Sequence, residues 1–566
     1  MALKDYNQWL ECTQGSLKEE LENIKNNSIE IEKRFLTELS FGTAGLRGIL
    51  GAGTSRMNVH TVGAATQAFA EVVAEQGKGK TVAIACDSRI NSMLFAKTAA
   101  QVFAANGIKA WIFDRIMPTP TLSFAVRQLG CSAGVMITAS HNPAEYNGYK
   151  AYGEDGGQLT PDKADKIGKR MWALDCFRDV KSVSFEDGKA SGLIQTVPED
   201  VVDAYIASVS KLGADSAREL NAKLPFVYTP LNGAGLECVC RVLREKGFDS
   251  MHIVEQQAAP DGNFPTCPYP NPEIPEAMAA GIALCKDVGA KMLIATDPDS
   301  DRLGVWSAQA GGEGRLLNGN EIAALLLDYI CSGRVRSKTM PNKPVAVKSV
   351  VSSEFADKIA QSYGVEMRTV LTGFKYTAQV IAQLEQEGRA DDFIFGFEES
   401  HGYLSGTHVR DKDGVNAALL ICELAAKLWE NEKTLADHLE ELYQKHGRMF
   451  SRVVTKKFDG VHPMKDMNEA MDRLRKNSPA EFMGEKVTES TDFLSGVTVK
   501  ADGTVSAADC EKTNMLRWRI GEDTRMIVRP SGTEPKMKIY FDITAPNLSQ
   551  AADKADAFTK SLFAML

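Results

Sequence analysis

KMLIATDPDSDR, residues 291–302, runs from an unbroken apolar stretch straight into a loop carrying three aspartates. A short apolar run that closes on turn residues reads as a strand buried on both faces, the kind found in parallel sheets. The same pattern recurs at TVAIACDSR (81–89), MITASHNP (136–143), LPFVYTPLNGAG (224–235) and PVAVKSVVSS (344–353). Between these runs lie helical patterns such as MLFAKTAAQVFAANG and LECVCRVLREKG, each ending in the glycine that commonly closes a helix. Strand–helix alternation implies parallel α/β units. After about residue 448 the texture changes to FSRVVTKKF, a helical stretch near 464–476, and TRMIVRPSGTEPKMKIYFDI, which reads as an antiparallel sheet. The expected fold class is α/β: three successive α/β domains with mixed or parallel sheets, followed by a C-terminal α+β domain. The expected limits are 1–205, 206–311, 312–448 and 449–566, with breaks near 205, 311 and 448.

The 566 residues exceed what one core organises, and 44% hydrophobic with 25% charged residues is ordinary for globular protein. A net charge of −9 argues against a general nucleic-acid surface and leaves room for a local cationic pocket. No run approaches the roughly 18 apolar residues of a membrane span, and the opening MALKDYNQWLECTQGSLKEE lacks an apolar signal core, so a cytoplasmic chain without a membrane partner is expected. Eleven cysteines are scattered without C-x-x-C spacing, and Cys238 and Cys240 sit two apart on a helical pattern, where side chains diverge.

Chemistry concentrates in a few loops. Asp297, Asp299 and Asp301 stand at i, i+2 and i+4; on extended backbone they share a face, and three converging carboxylates call for a hard cation such as Mg²⁺. Arg302 occupies the glycine position of an EF-hand loop, which excludes that alternative. Ser140 follows a strand's end and precedes the turn formers Asn142 and Pro143, at the carboxyl edge where open α/β sheets bind ligands. It is a candidate nucleophile or phosphate carrier, although Ser-His-Asn-Pro also suits a plain capped turn. RPSGTEP (529–535) offers a guanidinium, two hydroxyls and glycine-freed amides around one dianion. GFEESHG (396–402) pairs carboxylates with a serine, a set suited to vicinal sugar hydroxyls. No Walker spacing, dinucleotide fingerprint or G-x-S-x-G elbow accompanies them, which disfavours a kinase or a serine hydrolase.

In order along the chain, FGTAGLRG, TASHNP, DPDSDR, GFEESHG and RPSGTEP closely resemble the motifs of the α-D-phosphohexomutases, which include phosphoglucomutases and phosphomannomutases. The length and the form FGTAGLRGILGAGTSRMN resemble the long branch that also holds phosphopentomutases and glucose-1,6-bisphosphate synthases. The resemblance implies four domains around a central cleft, with Ser140 as the phosphoserine, His141 and Asn142 shaping its loop, and Lys150 as the general base. It implies Mg²⁺ on Asp297, Asp299, Asp301 and a phosphate oxygen of Ser140, with Arg302 neutralising the transferring phosphoryl group. Glu398 and Ser400 would read the sugar, and Arg529, Ser531, Gly532 and Thr533 would clamp the distal phosphate. Arg47, Lys375, Arg410 and Lys412 would add positive charge around the cleft. The implied reaction exchanges glucose 1-phosphate and glucose 6-phosphate through glucose 1,6-bisphosphate, in a monomer or homodimer. The sugar loop reads GFEESHG where other branches show GE-x-SGH or GEESFG, so Phe397 and His401 leave mannose and pentose phosphates open as substrates. A non-catalytic sugar-phosphate sensor would need the clamp and the sugar loop, but neither the nucleophile nor the three metal carboxylates.

Overall fold

A computed structural model describes residues 2–42, 45–77, 79–213, 223–309, 313–459, 462–532 and 534–566. The break expected near 311 and the clamp residue Thr533 lie outside them. Four sheets follow one another along the chain. The first has six strands in the order Leu46–Ile49, Tyr146–Gly153, Ala133–Ile137, Thr81–Cys86, Lys109–Ile112, Ile194–Thr196. Its last four strands are parallel, and Tyr146–Gly153 and Leu46–Ile49 return antiparallel. The second places Met292–Thr296 parallel to Phe226–Thr229 and antiparallel to Leu303–Ser307. The third places Val345–Ser349 between Glu366–Val370 and Phe393–Glu398, all parallel, with Gly402–Leu404 returning antiparallel. The C-terminal sheet is antiparallel throughout, built on Met449–Lys457, Lys536–Thr544, Thr524–Pro530 and Leu516–Ile520. Mixed sheets in three α/β units and a C-terminal sheet domain match the expected class. Helix Glu199–Ser210 runs through residue 205, where a break was expected, because its apolar face packs on the helices at 119–128, 235–245 and 414–429.

The apolar runs explain the layering. Met292–Thr296 and Ala133–Ile137 are buried at every position, as strands covered by helices on both faces must be. Helices Thr119–Gln128, Glu199–Ser210, Gly235–Glu245 and Gly414–Trp429 contribute to one continuous apolar core that reaches the first three sheets. Sharing a core fixes those sheets relative to one another, since interiors pack at crystal-like density and resist sliding. The C-terminal sheet has its own core around Trp518, Met526, Ile539 and Phe558. It meets the third unit through a small apolar cluster, Val350, Val351, Met515, Ile527 and Tyr540. Ion pairs flank that cluster: Arg519 to Glu354 at 2.6 Å, and Arg525 to Asp542. Three N-terminal helices form a cap of Tyr6, Trp9, Leu21, Ile31 and Phe35. Among the described residues no helix is long and apolar enough to cross a membrane.

Candidate active site

The first three units share one device. A central parallel strand ends, a short loop follows, and the chain returns as an antiparallel strand: 133–137 to 146–153, 292–296 to 303–307, and 393–398 to 402–404. The loops are those bearing Ser140, the three aspartates, and Glu398 with Ser400. Each turns on one non-glycine residue with positive φ: Ser140 at 53°, Ser300 at 53° and His401 at 63°. Left-handed backbone costs such residues about 1–2 kcal/mol, a strain that persists only where surrounding contacts over-determine it.

Ser140 is buried, and its Oγ donates to Asp297 Oδ2 at 2.8 Å and lies 3.1 Å from His141 Nδ1. Burial, and then the charges of Arg302 and Arg47, push the His141 pKa well below the ordinary imidazole range, so the ring is neutral. Arg47 reaches across from its edge strand to Asn142 Oδ1 at 3.2 Å.

One oxygen from each of Asp297, Asp299 and Asp301 falls within 4.8 Å of the others. The convergence expected of extended backbone is reached instead by a tight turn. Ser300 in left-handed conformation folds the segment back, and its N–H donates to Asp297 O at 2.9 Å. A helix start braces the turn. Gly414 N donates to Ser300 O at 3.0 Å, and a Cβ on Gly414 would fall 2.6 Å from that oxygen. Lys150 Nζ donates to Asp299 at 2.7 Å and Asp301 at 3.1 Å, and Lys412 Nζ lies 3.1 Å from Asp301. Asp299 Oδ1 and Asp301 Oδ1 have no hydrogen-bond partner although both are buried. Buried acceptors of this kind are costly, and an all-oxygen set with two open positions fits a small divalent cation. Burial, then Asp299 and Asp301, raise the Asp297 pKa well above the carboxylate range, whereas Lys150, Lys412 and Arg302 outweigh burial and hold Asp301 below it. Burial lowers the affinity of Lys150 for its proton, but Asp299 and Asp301 overcompensate and raise its pKa.

Glu398 is buried and accepts from Gly373 N at 2.6 Å. Burial, and then Glu399, raise its pKa. Ser400 is half-buried beside it. Gly373 opens helix Phe374–Gln386, whose first turn carries Lys375. Lys375 and Arg529 line one cavity of about 160 Å³ with Thr372, Tyr376 and Thr513, between the third unit and the C-terminal sheet. Burial lowers the Lys375 pKa. Thr372 Oγ1, buried without a partner, marks the cavity as polar. Ser531 Oγ accepts from Glu534 N at 3.2 Å in the adjoining hairpin loop, where Gly532 has open space around it.

Not every expected residue joins this set. Arg410 is fully buried with its guanidinium committed to Thr407 O, Val409 O and Glu385. Lys412 places its charge at the aspartate turn. Three residues that motif reading passed over also take part. Thr119 donates to Asp299 twice, from N to the carbonyl at 2.8 Å and from Oγ1 to Oδ2 at 2.7 Å. Glu273 fixes Arg302 through Nη1 at 2.7 Å. Arg89 lies beneath the Ser140 loop. The signals available were the Thr-Pro pair at a helix start, the acid in PNPE, and the strand-end CDSR.

Three family models match the chain in order: phosphoglucomutase/phosphomannomutase alpha/beta/alpha domain I over 38–176, domain II over 203–311 and domain III over 318–446. A phosphoglucomutase of Staphylococcus aureus is 36% identical over 561 residues, covering 98% of this chain and 99% of that protein. Among solved structures, the phosphoglucomutase parafusin of Paramecium matches with a TM-score of 0.69 at 20% identity, over 93% of this chain and 95% of that one. A phosphoglucomutase/phosphomannomutase family protein of Burkholderia thailandensis matches at 0.67 and 22%, over 93% and 97%. At those identities the two structures speak for the fold alone.

Proposed function

Given that the chain belongs to the phosphoglucomutase/phosphomannomutase family, and so is an intramolecular phosphotransferase acting on sugar phosphates, we propose that it interconverts glucose 1-phosphate and glucose 6-phosphate through phosphorylated Ser140 and bound glucose 1,6-bisphosphate. The observation that carries this reading is the placement of Ser140 Oγ 2.8 Å from Asp297, inside a carboxylate cluster with two unpartnered oxygens. A serine there is next to the one carboxylate cluster among the described residues equipped to hold a cation against a phosphoryl dianion.

In this reading Asp297, Asp299 and Asp301 hold Mg²⁺, which when bound neutralises charge on the phosphoryl group and polarises it. Arg302, held by Glu273, and Arg47, held by Asn142, present guanidinium donors to the equatorial oxygens of the transferring group. Neutral His141 orients Ser140 Oγ. Lys150 is the general base for the attacking sugar hydroxyl. Asp299 and Asp301 hold its ammonium protonated, so it must first give up a proton to act as base, which it can do only while those carboxylates are engaged elsewhere. Glu398 and Ser400 read sugar hydroxyls. Lys375, Arg529, Ser531, Gly532 and Thr533 grip whichever phosphate is not reacting, and because the bisphosphate must turn end for end, that grip accepts both ends. Lys412 supplies charge at the turn, and Arg410 acts only by stabilising its loop. The four segments 1–205, 206–311, 312–448 and 449–566 then contribute one loop each.

Conversion of glucose 1-phosphate to glucose 6-phosphate by the Mg²⁺-supplemented enzyme, primed with glucose 1,6-bisphosphate, tests the proposal against mannose 1-phosphate and ribose 1-phosphate. A higher kcat/KM for either competitor would overturn the choice of glucose while leaving the phosphoserine reading intact.

A further inference from the structure

Arg89 follows strand Thr81–Cys86, and its guanidinium is directed at the backbone of the loop carrying Ser140. Nη1 donates to Pro143 O at 2.9 Å and Tyr146 O at 3.0 Å; Nη2 donates to Ser140 O at 2.6 Å and to Asn142 O. Four carbonyls of one short loop thus converge on one fork of donors. Below it Asp87, 3.5 Å from Arg89 Nε, accepts from Thr138 Oγ1 at 2.6 Å, and Thr138 Oγ1 accepts from Ser140 N at 2.8 Å. A ring results, closed between Asp87 and Arg89 by that ion pair and by Arg89 N donating to Asp87 Oδ1 at 2.9 Å: Ser140 N to Thr138, to Asp87, to Arg89, and back to Ser140 O. Both backbone polar groups of the serine are fixed, which is what holds it at positive φ.

We propose that Arg89 is the positioning residue of the phosphoserine loop, and that Phe264 keys it to the unit carrying the aspartates. This rests on the reading of Ser140 as the phosphoryl carrier. Phe264 is fully buried, itself at positive φ, and its ring lies over the guanidinium at 5.1 Å. Beside it Gly262 packs so tightly that a Cβ would fall 2.4 Å from Ile90 N and 2.8 Å from Arg89 C. The segment around 262–264 and the aspartate turn belong to the same sheet unit. A shift of that unit is therefore transmitted to the carbonyls that aim Ser140. The arginine fork suits this task and a lysine does not, because an ammonium offers three donors from a single point. Arg89 touches no reacting atom; it sets where Ser140 Oγ stands relative to Asp297.

The test uses full-length wild type, Arg89→Lys and Phe264→Leu. The rate of phosphoryl uptake from glucose 1,6-bisphosphate is followed by intact mass and normalised to the folded fraction from thermal unfolding; kcat and KM are measured in parallel. Displacing the serine by about 1 Å is expected to slow uptake and kcat about 100-fold in Arg89→Lys, and about 10-fold in Phe264→Leu, with KM for sugar monophosphate within about threefold. A merely structural role would lower the folded fraction and leave uptake per folded molecule unchanged. Uptake by Arg89→Lys within about threefold of wild type would overturn the positioning role. If Arg89→Lys does not fold, Phe264→Leu decides: unchanged uptake there overturns the proposal. If wild type itself takes up no phosphoryl group, the Ser140 reading fails and this inference falls with it.

Discussion

Asp297 and Asp299 are 0% exposed and Asp301 1%, while the loop following Arg529 places Gly532 with no atom near enough to meet an added Cβ. The aspartate turn is gripped from several sides: Thr119 and Lys150 from the first unit, Lys412 and the Gly414 helix start from the third. The RPSGTEP loop rests on its own strands and on a sheet with a separate core. On the proposed reading, phosphoryl transfer requires nucleophile, cation and acceptor to be placed within a fraction of an ångström, which suits groups set where three units share one interior. On the same reading, gripping the idle phosphate tolerates looser geometry and must accommodate two substrate orientations. The reading gives that task to a smaller, ion-paired junction between the third unit and the C-terminal sheet.

Removing the carrier should break the comparison hardest. Ser140→Ala is expected to lower kcat by roughly 10⁴-fold or more, since no positioning effect replaces a lost nucleophile. A purified, contaminant-free variant keeping a tenth of wild-type turnover would rule that out. Next in size, Asp299→Asn or thorough chelation should cost about 100-fold or more in kcat, with Mg²⁺ restoring only the chelated wild type. Full activity in EDTA would give the three carboxylates another role.

The two phosphate-facing regions should then separate in kind. Arg529→Ala is expected to weaken sugar monophosphate binding by roughly 10- to 150-fold, the equivalent of a charge-assisted bond of about 1.5–3 kcal/mol. It should also raise the requirement for added glucose 1,6-bisphosphate, because an intermediate held less firmly escapes and leaves Ser140 unphosphorylated. Steady-state kinetics with and without that activator will show both effects, or show that the cradle lies elsewhere. A paired glycine substitution gives the smallest and sharpest contrast. Gly414→Ala places a methyl 2.6 Å from Ser300 O and should lower kcat about 10-fold or more, whereas Gly532→Ala meets open space and should leave kcat within about threefold, any loss at that clamp position appearing in KM for the monophosphate. Equal effects at the two sites would remove the distinction between the regions.

How far the sequence speaks follows the same division. Local patterns suffice for the apolar strand ends, for the closeness of three aspartates and for the RPSGTEP hairpin, because each depends on neighbours a few residues away. The aspartates converge for another reason than strand alternation implies: Ser300 turns the backbone left-handed, a conformation that a polar hexapeptide does not announce. Arg89 escaped notice because CDSR reads as the polar end of any strand, and its partners lie more than fifty residues away. Family resemblance alone offers Arg410 as cleft charge, yet Glu385 and two carbonyls claim its guanidinium once helix Phe374–Gln386 packs beside it. Pairing of Ser140 with Asp297, 157 positions apart, is a property of the shared core rather than of either motif.

The central claim is that the serine held against the aspartate turn carries the phosphoryl group in every turnover. Rapid-quench reaction of the Mg²⁺-loaded, dephosphorylated enzyme with glucose 1,6-bisphosphate labelled in its phosphates, followed by peptide mapping, measures this directly. The account predicts label on the peptide containing Ser140, appearing at least as fast as kcat and discharged by unlabelled glucose 1-phosphate. Label on another residue, or label at Ser140 that accumulates more slowly than turnover, would contradict it.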